Sequence, residues 1–339
     1  MNDLWNYLKK TDKPIVLYGT GNGADKVLDR LLSMEVRPVG IFASNGFVRG
    51  QSFRGYRVES FETLQKRLND MMILSCFGSN REDVLKNLAE LSEKYELYCP
   101  DVPLYGETFF DAAFAKGHRE ELSCVRTLLA DQLSVTTFDN IISFKCSGDP
   151  KYLQNCEQTG DDMALLPFSE REVYLDLGAY RGDTVMQFLR HVPNPEKIFA
   201  VEPDPKTYQK LVMAVGELAE CVHAAVLDKS GQMQFSADKG RGSAMGKGAL
   251  CPAVHVDGLL AGGRASFIKM DIEGAEAAAL SGARKTIKAY RPKMMIAAYH
   301  RAEDLFLLPL YVHSLCPTYK IFFRHFRHSL AWDSYFYFL

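Results

Sequence analysis

The stretch Phe267-Ile268-Lys269-Met270-Asp271-Ile272-Glu273-Gly274-Ala275-Glu276 decides the fold, because it runs a buried strand into acidic residues and then turns through glycine toward a helix. Phe267, Lys269 and Asp271 share one face by the two-residue strand period, Ile268 and Met270 take the other, and Glu273 follows just past the strand end. Charge at the end of such a strand faces a ligand, since parallel α/β sheets bind outside their carboxyl ends. The next strand, Lys293 to Tyr299, ends at His300. Asp271, Glu273 and His300 are therefore expected to converge on one rim, with Lys269 behind them, and a strand-end histidine beside carboxylates suits a general base. Blander roles exist for each: a hydrogen-bonded structural histidine, and a helix N-terminal acid favoured by the dipole. The same side chains could hold a divalent cation, but no compact ligand motif is present and no metal is assigned.

Upstream, Val173 to Leu177 reads as a buried strand, and Gly178-Ala179-Tyr180-Arg181-Gly182 as a flexible loop into a helix opening near Asp183-Thr184. Asp176 at the strand end can pair with a cationic amino group. A second strand, Ile198 to Val201, ends in Glu202-Pro203. An acid about 20 residues beyond a glycine turn is placed to accept both hydroxyls of a ribose, a geometry that serves NAD equally well. A third strand, Cys221 to Val226, ends at Leu227-Asp228, where Asp228 is either an adenine contact or a turn acid ahead of Lys229-Ser230-Gly231. The loop Lys239 to Gly248 holds four glycines and three cations and reads as a mobile rim or a plain surface loop. Tyr319 to Arg324 and Asp333 to Leu339 read as two last strands, with Arg324, His325, Arg327 and His328 between them as a basic turn that either binds a substrate anion or is simply solvated.

Taken together, Asp176, Gly178, Gly182, Asp183 and Thr184, then Glu202-Pro203, then the block from Lys269 to Glu276 resemble the FkbM family of S-adenosylmethionine-dependent methyltransferases, in the right order over roughly the second half of the chain. The resemblance implies a class I methyltransferase Rossmann-like fold, seven-stranded with the last strand antiparallel. It implies S-adenosylmethionine as cofactor, held by Asp176, Gly178, Ala179, Gly182, Asp183, Thr184, Glu202, Pro203 and Asp228. It further implies methyl transfer to a hydroxyl of a sugar, polysaccharide or related small molecule at Lys269, Asp271, Glu273 and His300.

The first hundred residues repeat the strand-turn-helix pattern. Ile15 to Tyr18 leads into Gly19-Thr20-Gly21-Asn22-Gly23, Val39 to Phe42 ends in Ala43-Ser44-Asn45, and Met71 to Cys76 leads through Gly78-Ser79-Asn80. A smaller Rossmann-like α/β domain follows from this repeat. Its glycine spacing is not the dinucleotide G-x-G-x-x-G, and no acid closes its second strand, so a packing or ligand-sensing role outranks NAD. Apolar residues at helical spacing from Phe110 to Leu129 mark a helical connector. The expected organisation is 1–106 for the first domain, 107–170 for the connector and 171–339 for the methyltransferase-like domain.

A chain of 339 residues, 47% hydrophobic and 24% charged, has the composition of a soluble globular protein, and a net charge of -2 gives no polyelectrolyte signal for nucleic acid or an anionic membrane. Eight scattered cysteines without a C-x-x-C pair read as buried apolar residues in a reducing compartment. The start of the chain lacks the apolar run of a signal peptide, and no segment is long enough to span a bilayer, so a cytoplasmic protein is expected. Expected partners are a small-molecule or glycan acceptor and a second copy in a homodimer, without nucleic acid or membrane. Two rivals remain: a nicotinamide-dependent sugar epimerase or dehydrogenase using the Gly19 turn, and a noncatalytic nucleotide-sugar-binding protein.

Overall fold

The computed structural model describes residues 3–236, 244–245 and 249–339. Its first sheet is built from β1 (Ile15–Tyr18), β2 (Gly40–Phe42), β3 (Ser52–Phe53), β4 (Tyr56–Glu59), β5 (Met72–Ser75) and β6 (Glu96–Tyr98) in the order β3-β4-β2-β1-β5-β6. Every neighbouring pair is parallel except β3 with β4. β1, β2 and β5 are buried at every position, which is why they read as unbroken apolar runs rather than alternations. The helix Asn22–Ser33 after β1 buries Ala24, Val27, Leu28 and Leu31 on one face.

Four helices follow at Ala112–Gly117, Arg119–Leu128, Gln132–Ser147 and Lys151–Gln154. The longest starts where the Asp131 side chain accepts from the Ser134 N–H and stops at Gly148, at φ 65°. The second sheet uses β7 (Glu157–Gln158), β8 (Val173–Leu177), β9 (Lys197–Val201) and β10 (Glu220–Val222). A small separate sheet holds β11 (Ala225–Val226), β12 (Gly231–Ser236), β13 (Ala244–Met245) and β14 (Ala249–Val254), and the large sheet is completed by β15 (Phe267–Met270), β16 (Lys293–Ala297), β17 (Ile321–Phe326) and β18 (Ser334–Phe338). Its order is β10-β9-β8-β15-β16-β18-β17-β7. β10 through β16 run parallel, and β18 is antiparallel to both β16 and β17. The expected seven strands with a reversed last strand are present, and the two-residue β7, too short to leave a periodic signal, adds an eighth at the edge.

Three details differ from expectation. The single strand expected over Cys221–Val226 is split between two sheets, and the break falls at His223, whose ring stacks on Tyr208 with centroids 4.8 Å apart. Arg324 and His325 lie inside β17 rather than in a basic turn: Arg324 is paired with Asp131 at 2.6 Å, and buried His325 bonds Ser334 at 3.0 Å. Neither is left to bind an anion. The glycine-rich loop Lys239–Gly248 lies outside the described residues except for Ala244-Met245.

Candidate active site

A cleft of about 1450 Å³ opens between the carboxyl ends of the two sheets. Gly21, Asn22, Gly23, Phe77 and Gly78 line it from the first sheet, and Gly178, Glu202, Asp271, Glu273 and His300 from the second. The strand order reverses at β1 in the first sheet and at β8 in the second, and both crevices, β1 against β5 and β8 against β15, face the same space. None of residues 112–154 lines it: the helix Gln132–Ser147 instead packs on β17, where Ser134 Oγ accepts from the Phe323 N–H at 3.0 Å. Of the connector expected over 107–170, the turn Gly160-Asp161-Asp162 does line the cleft.

At the β8 edge the chain turns through Gly178 at φ +85°, where an added Cβ would lie 2.0 Å from the Asp271 carbonyl oxygen. Only glycine lets these two strand ends approach so closely. Asp176 is fully buried; Thr184 Oγ1 donates to its Oδ2, Lys269 Nζ lies 3.8 Å from Oδ1, and Oδ1 has no hydrogen-bond partner. Burial pushes the Asp176 carboxyl above its usual range, against the pull of Lys269. Burial alone would lower Lys269, but Asp176, Asp271 and Asp162 hold it above its ordinary value, so this cation is part of the site's internal balance. Glu202 accepts from the Tyr180 N–H at 3.1 Å and the Asp204 N–H at 2.8 Å, and burial raises it to about 7.

The sequence-picked cofactor residues divide. Gly178, Asp183, Thr184, Glu202 and Pro203 line the cleft beside Tyr180. Ala179 is buried behind it, its N–H bonded to the Val201 carbonyl, and Gly182 turns against Val215. Asp228 is corrected: the cleft lining from β11 ends at Leu227 and Asp228 is exposed beyond it, because the chain has already left the main sheet.

At the β15 and β16 ends, Lys269, Asp271, Glu273 and His300 are brought to one rim. His300 Nδ1 lies 2.9 Å from Glu276 Oε1, and its Nε2 lies 3.5 Å from Asp271 and 3.6 Å from Glu273. Burial alone would strip His300 of its second proton, but Glu276, Asp271 and Glu273 hold it, up to about 10. At neutral pH this imidazole is already a cation and has no lone pair to offer, so the general-base role expected of His300 is revised. Asp271, Glu276 and His300 also bring donor atoms within 4.8 Å of one another. Glu276 Oε1 is already engaged by the Ile272 N–H at 2.9 Å and by His300, while its buried Oε2 has no hydrogen-bond partner.

Several contributors escaped the sequence. Tyr105, from the loop after β6, donates to Glu273 at 3.0 Å, and its N–H bonds the His300 carbonyl at 3.1 Å. Tyr299 donates to Asp271 at 3.0 Å. Glu276 sat in the quoted motif and, with Asp304, is one of two acids buried in a first helical turn among the described residues; Tyr105 left no local signal. Of the seven non-glycine residues held at positive φ among the described residues, three, Tyr180, Glu273 and Asp333, line the cleft.

Residues 176–315 match the family model of the methyltransferase FkbM domain. The FkbM methyltransferase of Methylobacillus flagellatus KT superposes with a TM-score of 0.76 at 20% identity, over 99% of this chain and 92% of that one. Much more remote are the fibrillarin of Aeropyrum pernix (TM-score 0.34, 12% identity, 51% of this chain and 69% of that one) and the precorrin-6y C5,15-methyltransferase of Geobacter metallireducens GS-15 (0.34, 12%, 52% and 83%). No curated protein sequence matches the chain. The glycine turn, the strand-end acid Glu202 and the charged rim from Lys269 to His300 all fall within residues 176–315, the part of the chain that matches the methyltransferase FkbM domain.

Proposed function

We propose that the protein methylates a hydroxyl oxygen of a sugar, polysaccharide or related small molecule held in the cleft between the two sheets. The observation that supports this most is the cleft itself. At about 1450 Å³ it exceeds the roughly 300–1,000 Å³ usual for one small ligand, and it is walled by both halves of the chain. The residues at the second sheet fit the cofactor: Gly178 and Tyr180 bring a turn of backbone to the cleft, Glu202 offers a carboxylate for ribose hydroxyls, and Asp176, buried behind them, keeps one oxygen without a hydrogen-bond partner. When bound, S-adenosylmethionine supplies a methyl group that passes to the acceptor oxygen while the carbon–sulfur electron pair returns to sulfur.

The remaining work is done by the protein's own groups. Asp271 and Glu273, 24% and 35% exposed, offer hydrogen-bond acceptors to the incoming hydroxyl. The test is a mass-spectrometric screen in which the protein and methyl-deuterated cofactor are offered free sugars, nucleotide sugars and oligosaccharides. A labelled methyl ether on one of these is the expected result. Label appearing only on protein or nucleic acid, with every sugar unmodified, would overturn the substrate class.

A further inference from the structure

Methyl transfer to a hydroxyl needs a group to take its proton, and the buried, already cationic His300 cannot. Asp271 accepts from Tyr299 at 3.0 Å and lies 3.5 Å from His300 Nε2 and 3.9 Å from Lys269 Nζ, a carboxylate held between two cations. Both of its oxygens are already engaged, Oδ1 by the Tyr299 hydroxyl and Oδ2 by the Tyr335 hydroxyl at 3.5 Å. Glu273 is the rim carboxylate most open to the cleft. Its backbone sits at φ 58°, a conformation that costs a non-glycine residue energy and persists only when its surroundings enforce it. Those surroundings are visible: Gly274, at φ +89°, has Tyr105 ring carbon and Arg301 Nε about 3.0–3.2 Å from where a Cβ would stand, and Arg301 Nε donates to the Gly274 carbonyl at 2.7 Å.

We infer that Glu273 takes the proton of the acceptor hydroxyl, and that Tyr105, reaching across from the first half of the chain, is the positioning residue that aims it. This rests on the reading of the cleft as a hydroxyl-methylating site. The acceptor O–H bond breaks as the new O–CH₃ bond forms, and the proton ends on a Glu273 carboxylate oxygen, from which it is lost to solvent when product leaves. The groups facing Glu273 are Asp271 at the end of β15, His300 after β16, Glu276 on the helix that follows Glu273 and Tyr105 from the loop after β6. Burial raises Glu273 to about 7, Asp271 and Glu276 act in the same sense, and His300 and the Tyr105 hydroxyl oppose them. A carboxyl in that range is a usable base near neutrality.

The first arm of the test needs no acceptor. In protein carrying ¹³C at the glutamate side-chain carboxyls, NMR titration should show two resonances moving near neutral pH, those of Glu202 and Glu273, removed singly by Glu202→Gln and Glu273→Gln. Tyr105→Phe should move only the Glu273 titration, and to higher pH, because it removes a hydrogen bond to the ionised form. In the second arm, on the acceptor found by the sugar screen, Glu273→Gln should slow turnover about a hundredfold or more with S-adenosylhomocysteine affinity within about twofold of wild type. Tyr105→Phe should shift the acidic limb of the rate profile upward with the titration. An unmoved Glu273 titration in Tyr105→Phe, or an acidic limb that survives Glu273→Gln and vanishes in His300→Gln, would overturn the inference. Turnover abolished by a chelator and restored by magnesium or manganese would also overturn it, making these side chains ligands. Retained S-adenosylhomocysteine binding in all variants separates failure of this inference from failure of the cofactor site.

Discussion

The two sheets of this protein make the same turn and offer different chemistry. In both, a buried first strand runs through glycine into a helix, the strand order reverses beside it, and the carboxyl ends face one cleft. At the first sheet the edge carries Gly21, Asn22, Gly23, Phe77 and Gly78, and two of its three glycines answer to packing: a Cβ on Gly23 would lie 2.2 Å from the Cys76 carbonyl, and one on Gly78 would lie 2.5 Å from the Trp332 ring. At the second, the edge carries Glu202, Lys269, Asp271 and Glu273, with Asp176 buried behind Lys269. Winding alone therefore places a crevice, and the charged side chains at the strand ends decide what chemistry it can do.

The contrast can be broken most severely at its glycines. Gly178→Ala places a methyl 2.0 Å from a backbone carbonyl at φ +85°, and we expect S-adenosylhomocysteine affinity to fall by a hundredfold or more with a melting temperature lowered by several degrees. Gly21→Ala meets open space at φ -97°, and its stability should stay within about 0.5 kcal/mol of wild type, read by denaturant titration. Equal damage from both changes would erase the distinction between the edges.

Next in size is the ribose acid. Glu202→Ala should weaken S-adenosylhomocysteine binding by about 1–3 kcal/mol in calorimetry, the cost of hydrogen bonds to a charged group. Because burial raises Glu202 to about 7, the wild-type affinity should decline as pH falls through that value and the carboxylate protonates, a trend that Glu202→Gln flattens. A pH-independent wild-type affinity would remove Glu202 from the site.

The smallest effect expected is none. The first sheet has no acid closing β2, where Ser44 instead bonds the Tyr18 hydroxyl at 2.6 Å, so NAD or NADP should leave the melting temperature unchanged. A saturable rise would favour a nicotinamide site at the Gly19 turn.

What the sequence disclosed follows the same division. Strand ends were legible because buried parallel strands are continuous apolar runs, and whatever charge interrupts them marks the edge; Asp176, Glu202, Asp271 and His300 were all found that way. Protonation states were not legible. The buried Glu276 that keeps His300 cationic sits 24 residues away from it, and Tyr105 meets Glu273 across 168 residues, so both depend on tertiary contacts with no local period. Asp228 was misplaced for a related reason: a strand-like run ending in an acid was read as one element, whereas the chain changes sheets at His223.

The central claim, that the cofactor binds at the second sheet's edge and not the first, is read most directly by hydrogen exchange with and without S-adenosylhomocysteine. Slowed exchange in the amides of Gly178 to Thr184 and of Glu202 to Thr207, with Gly19 to Lys26 unchanged, is the result this account predicts. Protection confined to Gly19 to Lys26, with Gly178 to Thr184 exchanging as before, would contradict it.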